Sequence, residues 1–115
     1  MPTFEQGDVV WLDPDPTRGR EQAKPRPHVI VSVNNLNGSG LGLSLAVPLT
    51  RTASGNALHL AISPPEGGLR EPSYAMPEQL RAVAHERISN RLGTLRRPTL
   101  VELLRRCRLL LRDPD

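Results

Sequence analysis

The sequence predicts a mainly β fold with a C-terminal helix: a small, strongly curved barrel with the helix packed on it. Three observations predict it. Short β-branched or apolar runs recur along most of the chain, each bounded by clusters of glycine, proline or asparagine. After Pro98 the apolar spacing changes from that of strands to that of a helix. At 115 residues the chain is expected to form one domain, 1–115, with a single core. Many short strands sharing one core curl around it, and a helix covers what they leave open.

Residues 8–13 form the first expected strand, an apolar run between Gly7 and Pro14. Five prolines and glycines between 14 and 27 forbid regular structure there, so this segment reads as a long loop. Loops of about 12 residues or more in a compact domain usually carry function. Residues 28–33 are the second strand, 34–40 a turn-rich connection, and 41–49 the third strand. A fourth is expected over 57–62, then short extended pieces over 73–76, 79–84 and 91–96. Short connections favour an antiparallel meander. In the helix, Leu100, Leu103, Leu104, Cys107, Leu110 and Leu111 share one face. Thr99 and Glu102 have the spacing of a capping box, just after Pro98.

Aromatic residues make up only 3% of the chain, namely Phe4, Trp11 and Tyr74. The core must then be built of Leu, Val, Ile and Ala, and is thin enough that a second subunit would help. No apolar stretch approaches the roughly 18 residues of a membrane helix, and residues 1–7 lack the features of a secretory signal. A cytoplasmic protein is expected. A single cysteine, Cys107, excludes an internal disulfide and multi-cysteine zinc sites, and reads as core filler. His28, His59 and His85 lack the spacing of a helical metal site, so neither metal nor other cofactor is expected. The basic residues are 14 arginines and one lysine, Lys24, with a net charge of +3. Arginine's planar fork binds phosphate oxygens in pairs and stacks on bases, which lysine does not do.

Two polar clusters lie at strand ends: Arg20, Glu21, Gln22, Lys24 and Arg26 in the long loop, and Thr50, Arg51 and Thr52 after the third strand. If the second and third strands pair as a hairpin, the start of one lies beside the end of the other. Arg26 and Thr50 then become neighbours by topology alone. A guanidinium beside a hydroxyl suits a phosphodiester, since Arg26 can neutralise the charge growing on the phosphorane oxygens while Thr50 donates a hydrogen bond. RNA brings its own nucleophile, the 2′-hydroxyl. A proton-transfer group is still required, and two candidates stay open, Glu21 and Arg26 itself.

These segments resemble the MazF/PemK family of type II toxin-antitoxin endoribonucleases. Residues 7–13 (Gly-Asp-Val-Val-Trp-Leu-Asp) are similar to the family's opening G-D-[IV]-x-W-x-D strand, and 16–27 to its P-x-x-G-x-E-Q-x-x-x-R-P loop. The apolar strand at 28–32 follows in the expected order, and Val47-Pro48-Leu49-Thr50 resembles the V-P-[IL]-T strand end. Gln79-Leu80-Arg81, Arg87 and Leu92-Gly93 resemble the later strand and the turn before the helix. The likeness spans nearly the whole chain. It implies an SH3-like barrel of the CcdB/MazF type, a homodimer, and metal-independent cleavage of single-stranded RNA to a 2′,3′-cyclic phosphate and a 5′-hydroxyl. It also implies a cognate antitoxin with an acidic disordered tail, and promoter DNA as a partner only of the toxin-antitoxin complex. By the same resemblance Arg26 and Thr50 match the catalytic pair. Two positions depart from the pattern: His28 stands where an apolar residue opens the strand, and Arg20 replaces the serine before Glu-Gln.

Glu21 is thus a catalytic candidate beside Arg26 and Thr50. Arg20, Gln22, Lys24, Asn34, Arg51, Gln79, Arg81 and Arg87 are the candidate RNA contacts. Gln79 and Arg81, two residues apart, are expected on one side of a strand, and Arg91, Arg96 and Arg97 could extend a basic track. Two other readings fit a chain of this class: a non-enzymatic gyrase-type poison on the same barrel, and a DNA-binding co-repressor acting with its antitoxin. Neither calls for Arg26 beside Thr50.

Overall fold

The computed structural model describes residues 3–13 and 25–114. Among these residues seven strands and one long helix follow one another: β1 Asp8–Leu12, β2 Arg26–Ile30, a single turn α1 Asn34–Asn37, β3 Leu43–Thr50, β4 Leu60–Ile62, β5 Ser73–Ala75, β6 Arg81–Ala84, β7 Ile88–Thr94 and α2 Arg97–Arg108. All pairings are antiparallel, in the order β4-β5-β3-β2-β1-β7. Strand β3 is the axis. One of its edges carries β2, while the other is shared between β6, from Leu43↔Ala84 to Ala46↔Arg81, and β5, at Leu49↔Ala75 and Thr50↔Tyr74. Pro48 lies at the changeover, where it lacks an N–H to give, and its carbonyl accepts from Met76 N at 3.1 Å.

The sheet curls without closing by hydrogen bonds: among the described residues β4 and β7, its two ends, share no pairing. Backbone contact brings its ends together instead. The 3-10 turn Glu66–Gly68, between β4 and β5, lies flat on β7. A Cβ on Gly68 would stand 2.0 Å from the Leu92 carbonyl oxygen, and one on Gly93 2.6 Å from the Gly67 carbonyl carbon. Gly68 also has φ +72°, a conformation that glycine adopts without penalty. The Leu92-Gly93 motif is therefore a contact surface for this turn.

Alternation along the strands sends successive residues to opposite faces. Val9, Val29, Val47 and Leu49 pack with Leu103 and Cys107 of α2 in one buried cluster. Val10, Leu12, Ile30 and Ala46 join Phe4 and Val83 in a second. Burial pushes the Cys107 thiol up from its ordinary pKa, as suits a core residue.

Several expectations are corrected. Helix α2 starts at Arg97, two residues before Thr99, and its N-cap, Arg96, makes no side-chain cap. The capping acceptor comes from elsewhere in the fold, since Arg96 N donates to Glu66 Oε2 at 3.0 Å. Burial alone would raise the Glu66 pKa, but hydrogen bonds from Thr99 and Arg96 outweigh it and lower the value. Glu102, freed from a capping role, binds Arg105 and Arg106 at 2.9 and 2.7 Å. The helix also ends at Arg108, leaving Leu110 and Leu111 exposed rather than on the buried face. Strand β2 begins two residues earlier than expected, at Arg26. The last strand runs from Ile88 to Thr94 rather than over 91–96. Gln79 ends a 3-10 turn, Pro77–Gln79, and does not share a strand with Arg81.

Candidate active site

The β2–β3 register pairs His28 with Pro48, Val29 with Val47 and Ile30 with Ala46. Carried two residues further, it sets Arg26 opposite Thr50, the first residue of β2 and the last of β3. Val31 N donates to Leu45 O at 2.9 Å, which fixes the alternation: 31/45 and 29/47 are hydrogen-bonded pairs, while 30/46, 28/48 and 26/50 are non-hydrogen-bonded. In such pairs the Cα atoms come closer, to about 4.5 Å, and so do the side chains. Pro27 can donate nothing to Leu49, so the ladder with β3 frays at this end. The backbone of Arg26 stays held from the other side, paired with Leu12 of β1.

Even-numbered residues of β2 and β3 look away from α2, so Arg26, His28 and Thr50 share one face with Ile30 and Ala46. Arg81, opposite Ala46 in β6, joins the same face. Tyr74 does too, as the partner of Thr50 in β5. Its half-buried ring stands at the site's edge.

His28 ties the group together. Its side chain is buried, 1% exposed, with Nδ1 3.1 Å from the Arg26 carbonyl oxygen and Nε2 3.3 Å from Arg81 Nη2. A carbonyl only accepts and a guanidinium only donates. Nδ1 therefore carries the proton and Nε2 the lone pair. Burial is the largest cause that lowers its pKa, to about 4; the Arg81 and Arg26 charges add to it, and the Arg26 carbonyl opposes it. The ring is neutral across the physiological range.

The other candidates are distributed unevenly. Arg20, Glu21, Gln22 and Lys24 lie outside the described residues. Arg51, beside Thr50, is exposed and binds both carboxylate oxygens of Glu71, at 3.1 and 3.0 Å. Asn34 has a structural task, its Oδ1 accepting from Gln6 N at 2.8 Å. Gln79 is exposed on the turn after β5. That turn is held to the segment after Thr50 by His59, whose Nε2 lies 2.7 Å from Glu78 Oε2 and whose Nδ1 lies 3.2 Å from Ser54 Oγ. Arg87 is half-buried at the end of the 3-10 turn His85–Arg87, just before β7, its carbonyl accepting from Asp13 N at 2.9 Å. Arg91 pairs with the buried Asp8 at 3.2 Å and Arg96 with Glu66 at 3.4 Å, so both stabilise the fold. Arg106 reaches from α2 to the carbonyl oxygens of Ala57, Leu58 and His59.

Sequence reading missed the link that His28 makes and the place of Tyr74. The signal for His28 was its position two residues from Arg26, hence on the same face. For Tyr74 there was none: the extended piece at 73–76 was expected and is β5, but its register with Thr50 is not legible in so short a run.

Residues 5–111 match the model of one family, described as PemK-like, MazF-like toxin of type II toxin-antitoxin system. Among solved structures, the fold is similar to MazF from Deinococcus radiodurans, at 25% identity over 96% of this chain and 98% of that one, with a TM-score of 0.79. It is also similar to a MazE-MazF complex from the same organism, at 25% identity, 96% and 97% coverage and a TM-score of 0.81. An endoribonuclease in complex with its cognate antitoxin from a mycobacterial species shares the fold at 22% identity, 99% and 100% coverage and a TM-score of 0.73. The comparison with curated proteins found no match. No helix among the described residues is long and apolar enough to cross a membrane.

Proposed function

The chain belongs to the PemK-like, MazF-like toxins of type II toxin-antitoxin systems, and from that premise we propose that it is a sequence-specific, metal-independent endoribonuclease acting on single-stranded RNA. The observation that carries this reading is the β2–β3 register, whose continuation brings Arg26, the first residue of β2, and Thr50, the last of β3, to the same end of the hairpin, on the face turned away from α2. In the reaction the ribose 2′-oxygen bonds to the neighbouring phosphorus and the bond to the 5′-oxygen breaks. A 2′,3′-cyclic phosphate and a 5′-hydroxyl result. Arg26 stabilises the charge that grows on the non-bridging oxygens, and Thr50 donates a hydrogen bond to the same group. The proton leaving the 2′-hydroxyl and the one gained by the 5′-oxygen need an exchange group, for which Glu21 and Arg26 itself are the two candidates. Tyr74 offers a ring on which a base next to the scissile phosphate can stack.

The partner is a cognate antitoxin whose acidic, disordered tail lies along this basic face and blocks it. The MazE-MazF complex of the similar Deinococcus protein supports that assignment. A homodimer is supported by the apolar side chains left exposed on and after α2, Val101, Leu109, Leu110 and Leu111. Sedimentation at micromolar concentration checks it, with a stable monomer as the contrary result.

Cleavage is tested on a single-stranded RNA in EDTA. Fragments with a 2′,3′-cyclic phosphate are expected, and a 2′-deoxy substitution at the scissile nucleotide should abolish the cut. A requirement for added Mg²⁺, or cleavage of the deoxy substrate, would contradict the mechanism.

A further inference from the structure

His28 is unusual in holding two arginines at once while carrying no charge. We infer that His28 is a positioning residue, whose neutral ring fixes the Arg81 guanidinium as a phosphate-binding cation for the nucleotides flanking the scissile bond and locks it in register with Arg26. The inference rests on the ribonuclease reading and adds to it a residue and a division of labour.

The geometry has three parts. Nδ1 donates to the Arg26 carbonyl, so the ring is attached to the backbone of the residue that stabilises the reacting phosphate. Nε2 accepts from Arg81 Nη2, so the same rigid ring reaches a side chain anchored in β6, beyond β3. Both bonds exist only in the tautomer with the proton on Nδ1, and Arg81 itself enforces that choice. The ring is buried and has no route to abstract a proton from substrate, whereas Arg81 is exposed.

The choice of an imidazole has an electrostatic reason. An arginine held by a carboxylate is neutralised by it, as Arg51 is by Glu71 and Arg91 by Asp8 in this molecule. An arginine held by a neutral acceptor keeps its whole charge for a phosphate, at a fixed orientation. A buried imidazole flanked by two guanidiniums stays neutral, which secures the arrangement. Arg81 lies level with Ile30 through the β3 register, four residues along β2 from Arg26. That is about 13 Å along the strands between the two backbones, and the Arg81 side chain reaches back to His28, two residues from Arg26, so the two cations line one track for a bound strand.

Cleavage kinetics and nitrogen NMR of the wild-type chain test this together. With a fluorogenic single-stranded RNA, His28→Leu keeps the bulk of the ring and is expected to raise KM about tenfold, with a smaller change in kcat. His28→Gln, which returns an acceptor near the Nε2 position, should recover most of the loss. In an Arg81→Met background His28→Leu should have little further effect on KM. In the wild-type protein the ring should show a protonated Nδ1 and an unprotonated Nε2 from pH 5 to 8. A folded His28→Leu protein with unchanged KM, additive effects with Arg81→Met, or a ring protonated on Nε2 would each overturn the inference. The NMR result decides it even where a variant does not fold. Absence of any RNA cleavage by the wild-type chain would instead remove the ribonuclease reading, leaving the tautomer as a separate observation.

Discussion

Val29 and His28 stand next to each other in β2, and the two faces they look onto are built on different principles. On the Val29 side the sheet meets α2, and Leu103 and Cys107 complete an apolar buried cluster. On the His28 side the apolar cluster of Val10, Leu12, Ile30 and Ala46 gives way, toward the end of the hairpin, to Arg26, His28, Thr50 and Arg81. The first face is covered by α2; on the second the apolar cluster and His28 are buried as well, and it is accessible at the hairpin end, at Arg26, Thr50 and Arg81. A period of two residues thus separates what holds the fold from what acts on a ligand, within the same strands. Substitutions on one face should change stability with little effect on the chemistry, and those at the hairpin end should do the reverse.

The largest effect is expected at Arg26. Arg26→Ala should lower the cleavage rate about a thousandfold, equivalent to about 4 kcal/mol of transition-state stabilisation, with the unfolding midpoint in urea almost unmoved. A comparable fall in stability would blur the separation of the faces. Leu103→Ala gives the converse: Leu103 is fully buried between α2 and the sheet, and its truncation should cost about 3 kcal/mol. Single-turnover cleavage per folded molecule should be retained.

Acid should weaken the fold through the second face. Unfolded, His28 takes up a proton near its ordinary pKa of 6.5; folded, it does so only near 4. Between those values the unfolded chain binds the extra proton, so stability contributed by the neutral ring is complete above pH 6.5 and is lost as the pH falls toward 4. The loss by pH 5 is about 2 kcal/mol. Urea unfolding at pH 7.5 and 5 measures it, and His28→Leu should flatten that part of the profile. The smallest effect belongs to the covered side, where Glu66→Gln weakens the acceptor at the start of α2. A loss of about 1 kcal/mol is expected, with cleavage unaffected; no loss of stability would mean that the helix start is held by packing alone.

What was legible in the sequence follows the range of the interactions involved. The strand and helix pattern depends on local period and the pairing of β2 with β3 on one hairpin, and the antiparallel pairing of these two strands agrees with the expectation. The start of α2 did not follow from its own sequence. Glu66 supplies the capping acceptor from a turn 30 residues earlier, and nothing near Thr99 records it. Gln79 was misplaced because a three-residue turn beginning at Pro77 interrupts what reads as one extended run. Leu110 and Leu111 continue the apolar period beyond the last helical residue, so periodicity overstated the buried face. The partnership of His28 with Arg81 spans 53 residues and two strand pairings, and topology alone brings them together. The fold uses glycines 67, 68 and 93 as surfaces of backbone contact, a long-range role that no local period records.

The central claim is that RNA lies on the face opposite α2, across the ends of β2 and β3. Amide NMR of the labelled protein titrated with an oligonucleotide made uncleavable by a 2′-deoxy substitution at the cut site tests it most directly. The account predicts shifts concentrated at Arg26 and His28, at Thr50 and Arg51, and along β6 from Arg81, with α2 unaffected. Shifts centred on α2 and β4, with residues 26–28 and 48–51 unmoved, would contradict it.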